Sequence, residues 1–326
     1  MMRVLLAVSG GIDSMYMLYR APELFPGASY SVAHCNFRLR GSESDGDEDF
    51  VRSECRRLGV ECFVNRFDTL DYASGRGISV EMAARELRYA WFGHLCSEHG
   101  FDALATAHNA NDNAETLILN LLRGTGTKGL RGIPGDPGYT PLESIPASVT
   151  PGVPGIIRPL LKISREEIRK WMESNSRQWR EDRTNAENEA KRNKIRNLVF
   201  PVFAEINPSF IRTLGADMER IRQTDDIAEE YFRKAAAGIV SQNPDAATLI
   251  SVPGLLALKH WRYVLWRILE DCSFSAETFD KLCALLERYR TEPLGTVTLS
   301  GKTFQSPSYT LRARKKQLVL QARQSE

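Results

Sequence analysis

No stretch of the 326 residues approaches the roughly 18 uninterrupted apolar positions of a membrane-spanning helix. The N-terminus passes directly into a strand-like run, without the basic and apolar regions of a signal peptide. No membrane partner is expected, and the expected location is cytoplasmic. The six cysteines, Cys35, Cys55, Cys62, Cys96, Cys272 and Cys283, include no CxxC pair. Their scatter through apolar periodic segments argues against cysteine metal or redox motifs and predicts reduced core thiols. GxxxxGK[ST] is also missing, which excludes a Walker A loop. Charge is nearly balanced, 43 basic against 41 acidic residues, so the whole-chain field favours no partner. Its distribution does. Residues 155–215 hold 13 Lys/Arg against 8 Asp/Glu, and Lys191, Arg192, Lys194 and Arg196 fall within six positions. The last 26 residues hold six bases and one acid. A basic run is commonly a solvated face, but two of them in a balanced chain point to a polyanionic partner.

What is present starts at the N-terminus. Residues 4–8, Val-Leu-Leu-Ala-Val, read as a buried strand and run into Ser9-Gly10-Gly11-Ile12-Asp13-Ser14 and an apolar helix. Two glycines let backbone approach phosphate oxygens, and the N–H groups and positive dipole end of the helix then face the anion. Ser9 and Ser14 supply hydroxyls, and Asp13 supplies a carboxylate for a phosphate-bound Mg²⁺. A tight βα turn with small residues for packing explains Gly10 and Gly11, but not Ser, Asp and Ser at set offsets. A second glycine cluster, 124–129, fits GxGxxG as a string but follows a helical run, where a dinucleotide fingerprint follows a strand. It reads as a helix end and a flexible loop.

Strand-like runs at 4–8, 30–37, 61–66 and 103–107 alternate with helix-like stretches near 12–20, 45–58, 79–98 and 112–123. Such alternation predicts a parallel sheet with helices on both faces and ligands at the carboxyl ends of its strands. Three segments fall at such ends: 9–14, 34–40 and 107–115. A Gly/Pro-rich stretch over 124–157 suits a lid or substrate loop. A strand is expected at 156–161, then a helix capped by Ser164 with Glu167 completing a capping box. Beyond about 215 the pattern is helical (218–237, 257–271, 276–289), then strand-like (296–299, 317–321). The expected domains are therefore 1–215, carrying the ligand site, and a smaller, mostly helical 216–326. No internal repeat is evident.

The strand–SGGxDS–helix unit resembles the PP-loop of the ATP pyrophosphatase superfamily, whose members cleave ATP between the α- and β-phosphates. Further segments resemble one subfamily, the tRNA(Ile)-lysidine synthetases. Residues 34–41, His-Cys-Asn-Phe-Arg-Leu-Arg-Gly, are similar to its HxNHxLRG segment, with Phe37 in place of the second His. Residues 79–89 resemble its (N/S)xExxARxxRY helix, and 107–116 its AHxxDDxxET segment, with Asn111 replacing the first Asp. Residues 158–161 match RPLL, and 192–196 match RNxIR. The resemblance covers roughly residues 3–215 and is looser beyond. Longer members carry a further RNA-binding module past the point where this chain ends.

The resemblance implies an adenine nucleotide alpha hydrolase-like, Rossmann-like α/β domain and a tRNA-binding C-terminal domain. It implies ATP bound by Ser9, Gly10, Gly11, Ile12, Asp13 and Ser14 with Mg²⁺ on Asp13. O2 of the wobble cytidine in a CAU-anticodon isoleucine tRNA attacks the α-phosphate, and the amine of free L-lysine then displaces AMP from C2. Asp13, Arg85, Arg88, His108, Asp112 and Glu115 become the candidate catalytic residues, and Lys191, Arg192, Lys194 and Arg196 the candidate RNA contacts.

Each candidate also has a structural reading. Arg85 and Arg88 lie three apart on one helix face, with Val80, Ala84, Leu87, Trp91 and Leu95 as the core face; both are plain solvated arginines unless a phosphate is near. Asp112 and Glu115 are spaced as a capping box, and spacing alone leaves cap and lysine site open. Asn193 and Arg196 suit either a junction or RNA. The rival functions are a tRNA thiolase, which would need clustered cysteines, an amide-forming synthetase, and a catalytically inactive nucleotide- or RNA-binding module. The oligomeric state, homodimer included, stays open.

Overall fold

The computed structural model describes residues 1–134, 140–141, 155–181, 191–243, 247–292 and 298–323. Much of the expected loop over 124–157, residues 182–190 of the basic stretch 155–215, and positions 296–297 of the strand expected at 296–299 lie outside the described residues.

The first strand, β1 (Arg3–Ala7), reads as continuous apolar sequence because both its faces are covered. It pairs in parallel with β2 (Ser29–Asn36), which pairs with β3 (Cys62–Arg66). On its other side lies β4 (Ala103–Ala105). A short strand, β5 (Thr140–Pro141), runs antiparallel at the edge against β6 (Gly155–Ile157), which is parallel to β4. The order is β3-β2-β1-β4-β6-β5. Val4 and Leu6 pack beneath α1 (Ile12–Tyr19), which is followed by the short α2 (Ala21–Leu24), and beneath α3 (Ser42–Leu58). Leu5 faces the other way. After α4 (Thr69–Arg76) comes α5 (Val80–His99), whose Tyr89, Phe92 and Leu95 pack with Leu5 and Leu104. The result is three layers, α/β/α, with the sheet in the middle.

The buried stripe of α5 matches the expected one in part: Ala84 and Leu95 are buried, but Val80 is 38% exposed and Tyr89, Phe92 and Cys96 are buried as well. Large aromatic rings outweigh a valine in the first turn and set the rotation of the helix.

The chain leaves β1 toward β2 on one side and reaches β4 on the other, so a crevice opens beyond the carboxyl ends of β1 and β4. Here α6 (Ala110–Arg123) begins, followed by α7 (Thr127–Leu130) in the second glycine cluster, and α8 (Arg165–Ser174) after β6. Then come α9 (Lys191–Lys194), a π-helical turn Ile195–Val199, α10 (Phe200–Ile206) and α11 (Phe210–Ala237).

Two compact units, Met1–Arg222 and Gln223–Glu326, divide within α11. In the second unit an antiparallel sheet has the order β7 (Val240–Gln242), β8 (Thr248–Ser251), β11 (Gln317–Ala322), β10 (Tyr309–Ala313), β9 (Thr303–Gln305). Helices α12 (Val252–Ala257), α13 (Trp261–Leu269) and α14 (Ala276–Thr291) pack on it through Leu255, Val264, Leu265 and Leu286. Most of these strands escape a sequence reading because three to five residues cannot display an alternating pattern. The helix expected over 257–271 is broken, with Leu258 in extended backbone.

Candidate functional site

The loop between β1 and α1 is held by its own serine. Ser14 Oγ accepts the N–H of Ser9 at 3.1 Å and of Gly10 at 3.2 Å, and donates to the Gly11 carbonyl at 2.9 Å. Gly10 sits at φ +96°, a region that side chains with a Cβ rarely enter. No side chain caps α1, whose N-cap is Gly11. Its first-turn N–H groups are thus left to an anion.

Asp13 is pushed above the usual carboxylate range by burial, and Asp112 adds to the shift, against Arg165, Asn109 and Arg196. Its Oδ1 is buried with no hydrogen-bond partner. A lone carboxylate oxygen of this kind fits a Mg²⁺ that arrives on phosphates and keeps most ligands off the protein. Among the described residues no three His, Cys, Asp or Glu side chains converge as a metal cage.

Across the crevice, the N-cap of α6 lies three residues earlier than the Asp112–Glu115 spacing suggested. Asn109 is the N-cap: its Oδ1 accepts the N–H of Asn111 and of Asp112, while Asp112 Oδ2 accepts the Asn109 N–H at 3.0 Å. The capping box is Asn109–Asp112, not Asp112–Glu115, so the cap leaves Glu115 unused. Its fully buried carboxylate accepts from Arg196 Nε at 2.7 Å through Oε1, while Oε2 has no partner. Burial raises Glu115 above its ordinary value, Asp112 assists, and Arg196 opposes. Arg196 also reaches Asp112 Oδ1 at 3.4 Å.

The π-helical turn makes this possible. The Phe200 N–H bonds to the Ile195 carbonyl, five residues back, so Ile195 and Phe200 both enter the small core with Ala114 and Leu119. Arg196 and Asn197, between them, both line the cleft. Wide turns of this kind are frequent at functional sites.

The cleft encloses about 940 Å³ and is lined entirely from the first unit. Ser9, Gly11, Ile12, Asp13, Ser14, Arg88, His108, Asp112, Arg192 and Arg196 all line it. Glu115 lies behind Arg196. Arg85 is exposed, outside the lining, with its guanidinium 5.1 Å from the Tyr89 ring. Lys191 and Lys194 are exposed on α9. His34 is buried beneath the cleft, with Nδ1 2.9 Å from the Val8 carbonyl. His108 meets Thr106 Oγ1 at 3.0 Å through Nδ1. Burial brings it down to about 4, with Arg158, Arg192 and Arg88 adding and Asp112 opposing. It is a neutral imidazole at ordinary pH. Phe37 stacks on Phe67 and carries the Arg88 guanidinium 5.1 Å from its ring centre, on the cleft wall.

Sequence reasoning missed Arg165, Arg169, Trp179, Arg180 and Glu181 as lining residues. The capping box at Ser164 announced the start of α8, but its docking on α6 is tertiary: Asn111 Oδ1 accepts the Arg165 N–H at 3.0 Å. The Asn111 departure therefore falls on a helix-to-helix tie outside the cleft lining. Seven arginines against four carboxylates around the cleft favour an anionic ligand.

Comparison with known proteins adds three findings. A family described as PP-loop domain matches residues 1–203, and one described as TilS substrate binding domain matches residues 243–323. A curated relative from Chlorobaculum tepidum, "tRNA(Ile)-lysidine synthase", is 42% identical over 74% of this chain and 68% of its own length. Relatives of the same name from Porphyromonas gingivalis and Parabacteroides distasonis are 43% and 35% identical over 71% and 94% of this chain. The match spans 46% and 63% of their lengths. Among solved structures, the U34-tRNA thiolase NcsA of Methanococcus maripaludis with its [4Fe-4S] cluster shares the fold at TM-score 0.53 and 20% identity, over 68% of this chain and 72% of that one.

Proposed function

Because the chain belongs to the tRNA(Ile)-lysidine synthase family, we propose that it joins the side-chain amine of lysine to C2 of the wobble cytidine in a CAU-anticodon isoleucine tRNA, at the expense of ATP. The observation that carries this reading is one cleft with two unlike walls, a phosphate loop at residues 9–14 and, opposite, Asp112 and Arg196, with Glu115 paired to Arg196 behind the wall. One nucleotide and one cationic amine need that combination.

The loop N–H groups and the hydroxyls of Ser9 and Ser14 hold the phosphates. Asp13 would hold a Mg²⁺, which when bound would supply positive charge to the departing pyrophosphate. Arg88, fixed over Phe37, presents a forked cation to the cleft and suits the α-phosphate as the cytidine O2 attacks it. Neutral His108 donates or accepts a hydrogen bond without adding charge. The adenylate turns a poor leaving group, the C2 oxygen, into AMP. Asp112 meets the lysine ammonium from the cleft wall. The amine, with an unperturbed pKa of about 10.4, must lose its proton before it attacks. Asp112, the carboxylate on the cleft wall, takes it, and Glu115 acts from behind by holding Arg196 against Asp112. Lys191 and Lys194 remain outside the cleft for the RNA backbone.

The six thiols are all free of disulfides, and only Cys55 of α3 and Cys62 of β3 touch, the others lying on β2, α5 and the second unit. That spacing does not suit the clustered cysteines of an iron–sulfur thiolase. The deciding experiment incubates the protein with ATP, radiolabelled lysine and tRNA transcripts. Label is expected in the CAU-anticodon isoleucine transcript alone; ATP consumption without label in RNA would defeat the proposal.

A further inference from the structure

Residues 177–181 return from α8 to the phosphate loop. The Arg180 N–H donates to the Gly10 carbonyl at 2.9 Å. Its guanidinium Nε bonds Asp47 Oδ1 at 2.9 Å, and Asp47 Oδ2 accepts from Arg40 at 2.8 Å. The Asp47 side chain is 14% exposed and that of Arg180 46%, so a carboxylate seated on α3 holds an arginine that comes to it. Gly46 completes the seat, since a Cβ there would stand 3.3 Å from Arg180 Nη2.

The Gly10–Gly11 peptide is the weak point of a phosphate loop. Both of its neighbours are glycine, so nothing steric resists a flip. In a trans peptide the carbonyl and the next N–H point in opposite directions. The bond from Arg180 to the Gly10 carbonyl therefore also fixes the Gly11 N–H on the other side. That N–H makes only a long contact, 3.4 Å, to Ser9 Oγ and is available to an anion. A flipped peptide would present a carbonyl oxygen to the phosphates instead.

We propose that the Arg180–Asp47 pair is a latch that sets the orientation of the Gly10–Gly11 peptide, making Arg180 a positioning residue for nucleotide polyphosphate. The proposal rests on the phosphate-loop reading and goes beyond it, because Arg180 acts through a backbone carbonyl.

The test is the affinity of the full chain for ADP with Mg²⁺, measured calorimetrically, together with Michaelis constants for ATP and lysine. Arg180→Ala and Asp47→Asn should each weaken ADP binding about fivefold, the upper end for a half-exposed ion pair. The ATP constant should follow, with the lysine constant and kcat unchanged. Arg180→Lys should recover part of the loss. The double variant should be no worse than the more severe single one, because both act through one contact. Unchanged ADP affinity, or additive losses, would overturn the latch. Failure of the unaltered protein to bind ADP or ATP would instead overturn the phosphate-loop reading itself.

Discussion

On the β1 side of the cleft, the candidate binding groups are backbone N–H groups and two hydroxyls from the consecutive residues 9–14. On the β4 side, the working groups come from α6 and from residues 76 to 84 positions later, at Arg192 and Arg196. The first wall is set largely by local conformation, with Gly10 in a left-handed region and Ser14 closing the loop, and has one distant tie, the Arg180 N–H on the Gly10 carbonyl. The second exists only when two distant helical segments pack together. A local wall should lose chemistry without losing the fold. A wall assembled from afar should lose both together, and its charged groups should be tuned by burial rather than by sequence neighbours.

The largest effect separates the walls outright. Asp13→Asn should lower ATP turnover by about 100-fold or more, yet raise the melting temperature at neutral pH. Asp13 has a raised pKa, so above its folded value the native state bears a desolvated charge, with Oδ1 unpartnered, that Asn lacks. Below the unfolded value both states are protonated and that advantage disappears. The gain in melting temperature should therefore shrink as pH falls toward the ordinary aspartate range. A destabilised variant would show that Asp13 belongs to the scaffold.

Next in size, Glu115→Gln and Asp112→Asn should raise the lysine Michaelis constant about tenfold, the value of one charge-assisted hydrogen bond. Adenylation of tRNA should persist. Glu115→Ala should in addition destabilise by about 1–3 kcal/mol, because it strands the partly buried Arg196. A Gln variant with a normal lysine constant would reduce this wall to a structural ion pair.

Smaller still is the pH response. With His108 lowered to about 4, adenylation should show no His108 limb between pH 5.5 and 8. A limb near 6.5 that vanishes in His108→Gln would mean that the imidazole is protonated in use.

The smallest effect lies outside both walls. Lys191→Ala with Lys194→Ala should shallow the salt dependence of tRNA binding by about 0.7–0.9 per lost phosphate contact. Arg196→Ala should act on the lysine step and leave that slope alone. Equal slopes for all three would erase the distinction between cleft and surface bases.

Legibility followed the same division. The phosphate loop could be read because its determinants are contiguous, and the parallel sheet because buried strands are apolar throughout. His108 and Asp112 could be placed at the cleft from strand ends alone. Arg180 could not: its position depends on a hydrogen bond to Gly10 that spans the domain, and nothing nearby in sequence marks it. Glu115 was legible as a carboxylate but not as a buried one, since the cap register depends on Asn109, which the Asp-x-x-Glu spacing hid. Arg196 sat in a basic run and looked like surface; only the packing of Ile195 and Phe200 turns it inward. The sheet of the second unit is cut into pieces too short to carry a pattern.

The wide turn at Ile195–Val199 also carries a spare residue. Residues five apart on an ordinary α-helix differ by about 140° in direction, at about 100° per residue, yet Ile195 and Phe200 share one core. Deleting one position here, for example the exposed Leu198, would let the turn relax into a regular helix, with both apolar anchors still able to pack. Most single-residue deletions within a packed helix misplace everything downstream. This one would keep both anchors packed while turning Arg196 away from Glu115, so the chain length between Lys194 and Phe200 is itself a determinant of the site, one that no substitution scan would detect.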